Sequence, residues 1–200
     1  MKDKKEQRCD KSIFNKPNIV SSIRVLILFI AVYLVLSNYS ILAAATIVVI
    51  FLLDFVDGCI ARRFKEETEF GKVLDEIVDR LVENILFIVF AYVGYIPLWV
   101  PIVMVTRGIV VDNILLYFGR PETKRYMHLV RSNISRGSYG FLKMLLFVAL
   151  VFYPSSNTAF QTAVLFLTIV VVVFSLFRGF VKLREICWHK SAQCSKYLNL

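Results

Sequence analysis

Charge is missing from long parts of this sequence. No Lys, Arg, Asp or Glu occurs in Val25–Leu53, Asn84–Thr106 or Met144–Phe177, although the chain carries 24 basic and 15 acidic residues. With 58% apolar residues and a mean hydropathy of +0.65, this distribution moves the class from soluble globular to integral membrane. Cysteine is scarce: Cys9, Cys59, Cys187 and Cys194 show neither CxxC nor metal-ligand spacing and read as reduced thiols. Histidine is scarcer still, and neither His128 nor His189 has a partner at ligand spacing. The first apolar run starts near Ile19, after a polar stretch and without a small-residue cleavage site, so no cleavable signal peptide is expected. No soluble basic domain is available to bind nucleic acid, although the net charge is +9.

Each charge-free stretch has a turn-like break near its middle: SNYS at 37–40, GYIP at 94–97 and YPSSNT at 153–158. A span needs about 20 residues, and the first two stretches, of 29 and 23 residues, are each too short for two fully apolar spans. A helical hairpin whose legs run on into the charged flanks reconciles length with break. The expected fold is all-α and integral to the membrane, with six transmembrane helices in three hairpins near 19–37, 41–62, 75–94, 97–118, 138–153 and 159–180. Three long tilted helices are the alternative. In the six-helix arrangement every charge lies on one side, which Lys/Arg excess marks as cytoplasmic, and the +9 charge suits anionic headgroups there. Residues 1–17 read as a basic tail or an interfacial helix, 18–185 as the membrane domain and 186–200 as a cytoplasmic tail.

Four aspartates break the apolar pattern. The segment 54–79 reads D-x2-D-G-x2-A-R-x8-G-x3-D-x3-D, placing Asp54, Asp57, Gly58, Ala61, Arg62, Gly71, Asp75 and Asp79. Ionisable groups at membrane depth are costly and mark sites. At 100° per residue, Asp54, Asp57, Gly58 and Ala61 share a helix face with Arg62 at its edge, and Asp75 and Asp79 stack one turn apart on the next helix. Four converging carboxylates need compensating cations. Oxygen-only ligands select hard ions such as Mg²⁺ or Mn²⁺, and two such ions can clamp a diphosphate. Salt bridges to Arg62, Arg63, Lys72 and Arg80 are the structural alternative.

At every defined position this signature resembles that of the CDP-alcohol phosphotransferase family. PNIVSSIR at 17–24 is similar to the family's P-N-x-x-[ST]-x-x-R, with Asn18, Ser21 and Arg24 in place. GFLK at 140–143 and VTRG at 105–108 resemble segments of members like phosphatidylglycerophosphate synthase, with Phe141, Met144 and Gly108 departing from their pattern. The resemblance implies transfer of a phosphatidyl group from CDP-diacylglycerol to an alcohol with release of CMP. It implies that Asp54, Asp57, Asp75 and Asp79 bind a pair of Mg²⁺ or Mn²⁺ ions and that Asp79 is also the catalytic base. It implies a CDP site formed by Asn18, Ser21, Gly58, Ala61, Arg62 and Gly71, at the cytoplasmic face of a multi-pass protein.

The acceptor is read from the remaining cations. Arg107 pairs with Asp112 or Glu83, or it grips an acceptor phosphate together with Arg131, Arg136 and Lys143. An arginine fork suits phosphate, which favours a small phosphorylated alcohol, sn-glycerol 3-phosphate first. A cardiolipin-synthase-like or inositol-phosphate-using transferase is the alternative within the family, and a small cation transporter the alternative outside it. Membrane lipids are expected partners, and assembly as a homodimer stays open.

Overall fold

The computed structural model describes the backbone of residues 16–64, 69–118 and 133–198. The N-terminal tail and parts of both basic loops, Arg131 among them, lie outside the described residues. Six helices account for the described chain: α1 (Lys16–Leu36), α2 (Ser40–Phe64), α3 (Glu69–Tyr92), α4 (Trp99–Phe118), α5 (Asn133–Val151) and α6 (Thr158–Leu198). A single 3₁₀ turn at Tyr153–Ser155 joins α5 to α6. No strand occurs among the described residues.

Each of the three breaks is a tight inter-helix turn. Asn38 takes a positive φ of 60° after α1 and Gly94 one of 81° after α3. In each turn a later amide reaches back five residues, Tyr39 N–H to the Leu34 carbonyl and Tyr95 N–H to the Phe90 carbonyl, at 3.0 and 2.9 Å. These bonds occupy carbonyls that a helix end leaves without partners. The third turn uses Pro154 and Asn157, whose Oδ1 accepts the Phe160 N–H at 3.0 Å and caps α6. Among the described residues six helices, not three, are therefore present.

Helix ends depart from expectation where charge was used to place them. α3 starts at Glu69 rather than 75, α5 at Asn133 rather than 138, and α6 runs to Leu198 instead of stopping near 180. Charge marks where a membrane boundary falls but does not interrupt the backbone ladder. After Gly179 the chain has no Gly or Pro to stop α6. Its 41 residues extend about 60 Å, roughly twice a bilayer's hydrocarbon thickness.

Each helix packs chiefly on two others, in the cyclic order α1, α2, α5, α6, α4, α3 and back to α1. Small side chains, Ala31 on α1 and Ala43 and Ala44 on α2, are buried and let helices approach closely. Aromatic rings cross the bundle. Phe147 of α5 meets Phe87 of α3 edge-on at 4.8 Å and stacks near Phe90 and Phe51 at 6.0 and 6.1 Å. The outside is apolar too: Leu26, Phe29, Ile41, Phe55, Ile109 and Phe166 are all exposed. Thr158–Arg184 is the one described helix segment long and apolar enough to cross a membrane, while Ser22–Leu36, Ser40–Val56 and Gly137–Val151 are shorter apolar segments.

Two glycines separate turn geometry from helix propensity. A Cβ at Gly94 would meet nothing within 4 Å, but its φ of +81° is unfavourable for an L side chain. Gly94→Ala is expected to lower stability by about 1–2 kcal/mol. Gly108 is helical and also has open space, so Gly108→Ala is expected to be neutral or stabilising by up to about 1 kcal/mol. Thermal unfolding of the purified variants in detergent checks the contrast.

Candidate active site

α1 and α3 pack together, and α1 also packs on α2, which brings Arg24 to the carboxylates of both acid-bearing helices. Its guanidinium lies 2.9 Å from Asp54 Oδ1 and 3.3 Å from Asp75 Oδ1 through one terminal nitrogen, and 2.8 Å from Asp79 Oδ1 through the other. Arg24 is 2% exposed, whereas the side chains of Asp54, Asp75 and Asp79 are 38%, 45% and 44% exposed. The cation thus approaches from the bundle interior and the carboxylates open outward. One ligand oxygen from each of the three aspartates lies within 4.8 Å of the others. An all-oxygen set with that convergence fits a hard divalent cation, and a single guanidinium cannot neutralise three carboxylates.

α3 carries the polar stripe that organises the rest. Asp75, Asp79 and Glu83 are spaced by four residues and lie on one side of the helix. Glu83, buried, accepts the Tyr139 hydroxyl at 3.0 Å and the Lys143 ammonium at 3.1 Å, both from α5. Lys143 sits 4.5 Å from the Tyr139 ring centre, and the Arg178 guanidinium of α6 lies 5.0 Å from the same centre. One residue round the helix from Asp79, Arg80 pairs with Asp112 of α4 at 3.2 Å. Lys143 is also within electrostatic reach of Asp79, so this network adjoins the acidic centre.

Arg107 differs from these ion-paired groups. Asp112 is held by Arg80 and Glu83 by Lys143, and the Nε of Arg107 is buried without a hydrogen-bond partner. Its side chain packs on the backbone of α6: a Cβ added at Gly179 would lie 3.0 Å from that Nε. Arg80, Arg107 and Lys182, from α3, α4 and α6, lie within electrostatic reach of one another, with Asp112 and Glu76 near by. Like charges gathered in a poorly solvated place suit an anion.

Comparison with known proteins agrees with this chemistry. Residues 14–176 match the family described as CDP-alcohol phosphatidyltransferase. The chain belongs to that family. It is 34% identical over 96 residues to a candidate cardiolipin synthase of Mycobacterium tuberculosis, covering 48% of this chain and 46% of the relative. It is 36% identical over 76 residues to the CDP-diacylglycerol–inositol 3-phosphatidyltransferase of Drosophila melanogaster, covering 38% and 34% of the two chains. With the CDP-diacylglycerol–glycerol-3-phosphate 3-phosphatidyltransferase of Bacillus subtilis it shares 25% identity over 119 residues, 52% of this chain and 62% of the relative. The chain spans under half the length of the curated relatives it matches first.

Of the residues assigned from sequence to this phosphatidyltransferase site, the structure brings together Asp54, Asp75 and Asp79. Gly71 lies one turn before Asp75 on α3. The side chains of Asn18, Ser21, Asp57, Ala61, Arg62 and Arg136, and the surroundings of Gly58, lie outside the described residues, although their backbone is helical. The cations meeting Asp54, Asp75 and Asp79 in the described contacts belong to Arg24 of α1, not to Arg80, whose described carboxylate partner is Asp112. Arg24 stands in the PNIVSSIR segment but its role is not legible there, because it depends on how α1 crosses two other helices. The Glu83–Tyr139–Lys143 contact was legible in half: Glu83 follows Asp79 by one turn, while the α5 partners require the fold. Lys182 and Gly179 had no local signal.

The Lys143–Glu83 pair yields a stability test. Its side chains are only 13% and 6% exposed, and removing one partner of a buried pair costs about 3–5 kcal/mol because the other charge is stranded. Lys143→Met is expected to destabilise by that amount, and adding Glu83→Leu to it to recover most of the loss. Denaturant unfolding of both variants in detergent measures this, and a harmless single substitution would contradict the pairing.

Proposed function

We propose that this protein transfers the phosphatidyl group of CDP-diacylglycerol to a small phosphorylated alcohol, sn-glycerol 3-phosphate, releasing CMP and forming phosphatidylglycerophosphate. The observation that carries the reading is the convergence of Asp54, Asp75 and Asp79 inside the matched family region. Asp54, Asp57, Asp75 and Asp79 would hold two Mg²⁺ or Mn²⁺ ions. When bound, these neutralise diphosphate charge and polarise the phosphorus under attack. Asn18, Ser21, Gly58, Ala61, Arg62 and Gly71 form the CDP side of the site, small residues admitting the nucleotide and Arg62 meeting its diphosphate.

Asp79 takes the proton of the acceptor hydroxyl as its oxygen bonds to the phosphatidyl phosphorus. The bond from that phosphorus to the bridging oxygen breaks, and CMP leaves with the electron pair. Acceptor selection falls to the basic groups on the far side of α3. Arg107 grips the acceptor phosphate, supported by its buried Nε, which has no hydrogen-bond partner among the described residues, with Arg131, Arg136 and Lys143 completing the field. Arg80 and Lys182 extend it, since both lie near Arg107. A partly buried cation group of this kind favours a phosphorylated acceptor over a neutral one.

In this proposal the six helices all span the membrane, with both basic loops and the active site at the cytoplasmic face. The apolar exterior and the one-sided charge support that placement, and the exposed carboxylates open toward the headgroup layer from which a two-chain donor arrives. The family match weighs against the cation-transporter reading.

Purified protein with CDP-diacylglycerol and Mn²⁺ is expected to release CMP when glycerol 3-phosphate is added, and to stop on chelation. Asp54→Asn, Asp75→Asn and Asp79→Asn are each expected to abolish nearly all turnover, Asp79→Asn through kcat. Arg107→Ala is expected to raise the KM for glycerol 3-phosphate about tenfold to a hundredfold, as loss of one charge-assisted contact of about 1.5–3 kcal/mol requires, with the donor KM little changed. Release of CMP with serine or free inositol but not with glycerol 3-phosphate would overturn the acceptor assignment.

A further inference from the structure

We propose that Arg24 is the positioning residue of the acidic centre: it braces Asp54, Asp75 and Asp79 from the bundle interior, so that their exposed side can receive a divalent cation. This inference rests on the metal reading above and assigns a role to a residue of a different helix.

Four observations carry it. Arg24 meets all three carboxylates at once, Asp54 and Asp75 through one terminal nitrogen and Asp79 through the other. Exposure grades outward, from a guanidinium at 2% to carboxylates at about 40%. The acid-bearing helices α2 and α3 are not among the principal packing pairs, whereas α1 packs on both. α1 is thus able to fix the relative position of the two acidic faces, and through Arg24 it contacts the carboxylates themselves. Finally, the Nε of Arg24 is buried without an acceptor. The guanidinium head is therefore held through its two terminal nitrogens, on the carboxylates themselves.

The physical role follows from those contacts. Three carboxylates whose oxygens lie within 4.8 Å repel one another and, unbraced, would rotate apart toward water. A planar fork with separate donors holds them converged, which a single ammonium on a flexible stem cannot do. Groups that orient metal ligands from behind alter metal affinity about tenfold to a hundredfold when changed. Arg24 also adds positive charge beside the site, an effect opposite in sign to positioning, so the two can be told apart.

The test is a Mn²⁺ titration of the full chain in detergent, following the electron paramagnetic resonance signal of free Mn²⁺, with wild type, Arg24→Lys and Arg24→Gln. Thermal unfolding of each metal-free protein serves as the fold control. Wild type is expected to bind Mn²⁺. Arg24→Lys, which keeps the charge and loses the fork, is expected to bind about tenfold to a hundredfold more weakly while melting close to wild type. Arg24→Gln is expected to bind as weakly or more so, and to melt lower when metal-free. If the glutamine variant does not fold, the lysine variant decides. Wild-type affinity in Arg24→Lys overturns the brace, and so does tighter binding in Arg24→Gln, which would make the guanidinium a competitor of the metal. Absence of Mn²⁺ binding in the wild type removes the metal reading itself, a distinct failure.

Discussion

The interaction on which this structure turns is that of one buried guanidinium with three carboxylates drawn from two helices. Arg24 lies inside an apolar bundle, where a lone charge would be prohibitively costly. It is tolerable there because Asp54 and Asp79 lie within 2.9 Å and Asp75 within 3.3 Å. The same contacts tie α1 to α2 and α3 at the end of the bundle where the carboxylates open outward. Removing the cation would leave mutual repulsion among the acids, and removing the acids would strand the cation. Fold and site are therefore coupled at this point.

From Asp79 onward, α3 distributes polarity to its neighbours. Every fourth residue of one stripe carries an acid, and each described acid meets a cation from another helix: Arg24 of α1 at Asp75 and Asp79, Lys143 of α5 at Glu83. Arg80, on the adjoining stripe, reaches Asp112 of α4. Between these paired groups stands Arg107, its Nε buried without a partner and packed tightly against Gly179. Paired acids thus adjoin a cation whose Nε has no hydrogen-bond partner among the described residues, an arrangement in keeping with the anionic substrate proposed above. It would be wasteful in a structural bundle, where buried charge brings little net stability.

How much of this was legible in the sequence depended on whether the signal was local. The three breaks were readable because Asn38, Gly94 and Pro154 impose turn geometry on their own, and the charge-free stretches set the helix count. Asp54, Asp75 and Asp79 were readable because carboxylates in an apolar context are rare and because their spacing puts them on helix faces. Helix termini were misplaced where charge stood in for a stop signal, most visibly in α6, whose C-terminal extension lacks any Gly or Pro. Arg24 was visible as a residue and not as a partner, since its contacts span 51 and 55 positions of sequence. The pairing of Glu83 with Tyr139 and Lys143, across 56 and 60 positions, has the same cause. Long-range polar contacts are set by helix crossing, which periodicity does not encode.

The central claim is that the outward side of the Asp54–Asp75–Asp79 cluster is a divalent-metal centre. An experimental structure of the protein soaked with Mn²⁺, read at the manganese absorption edge, addresses it most directly. The account predicts anomalous density against all three carboxylates, with Arg24 still seated behind them. Manganese located elsewhere, with the three carboxylates bound to Arg24 alone, would contradict it.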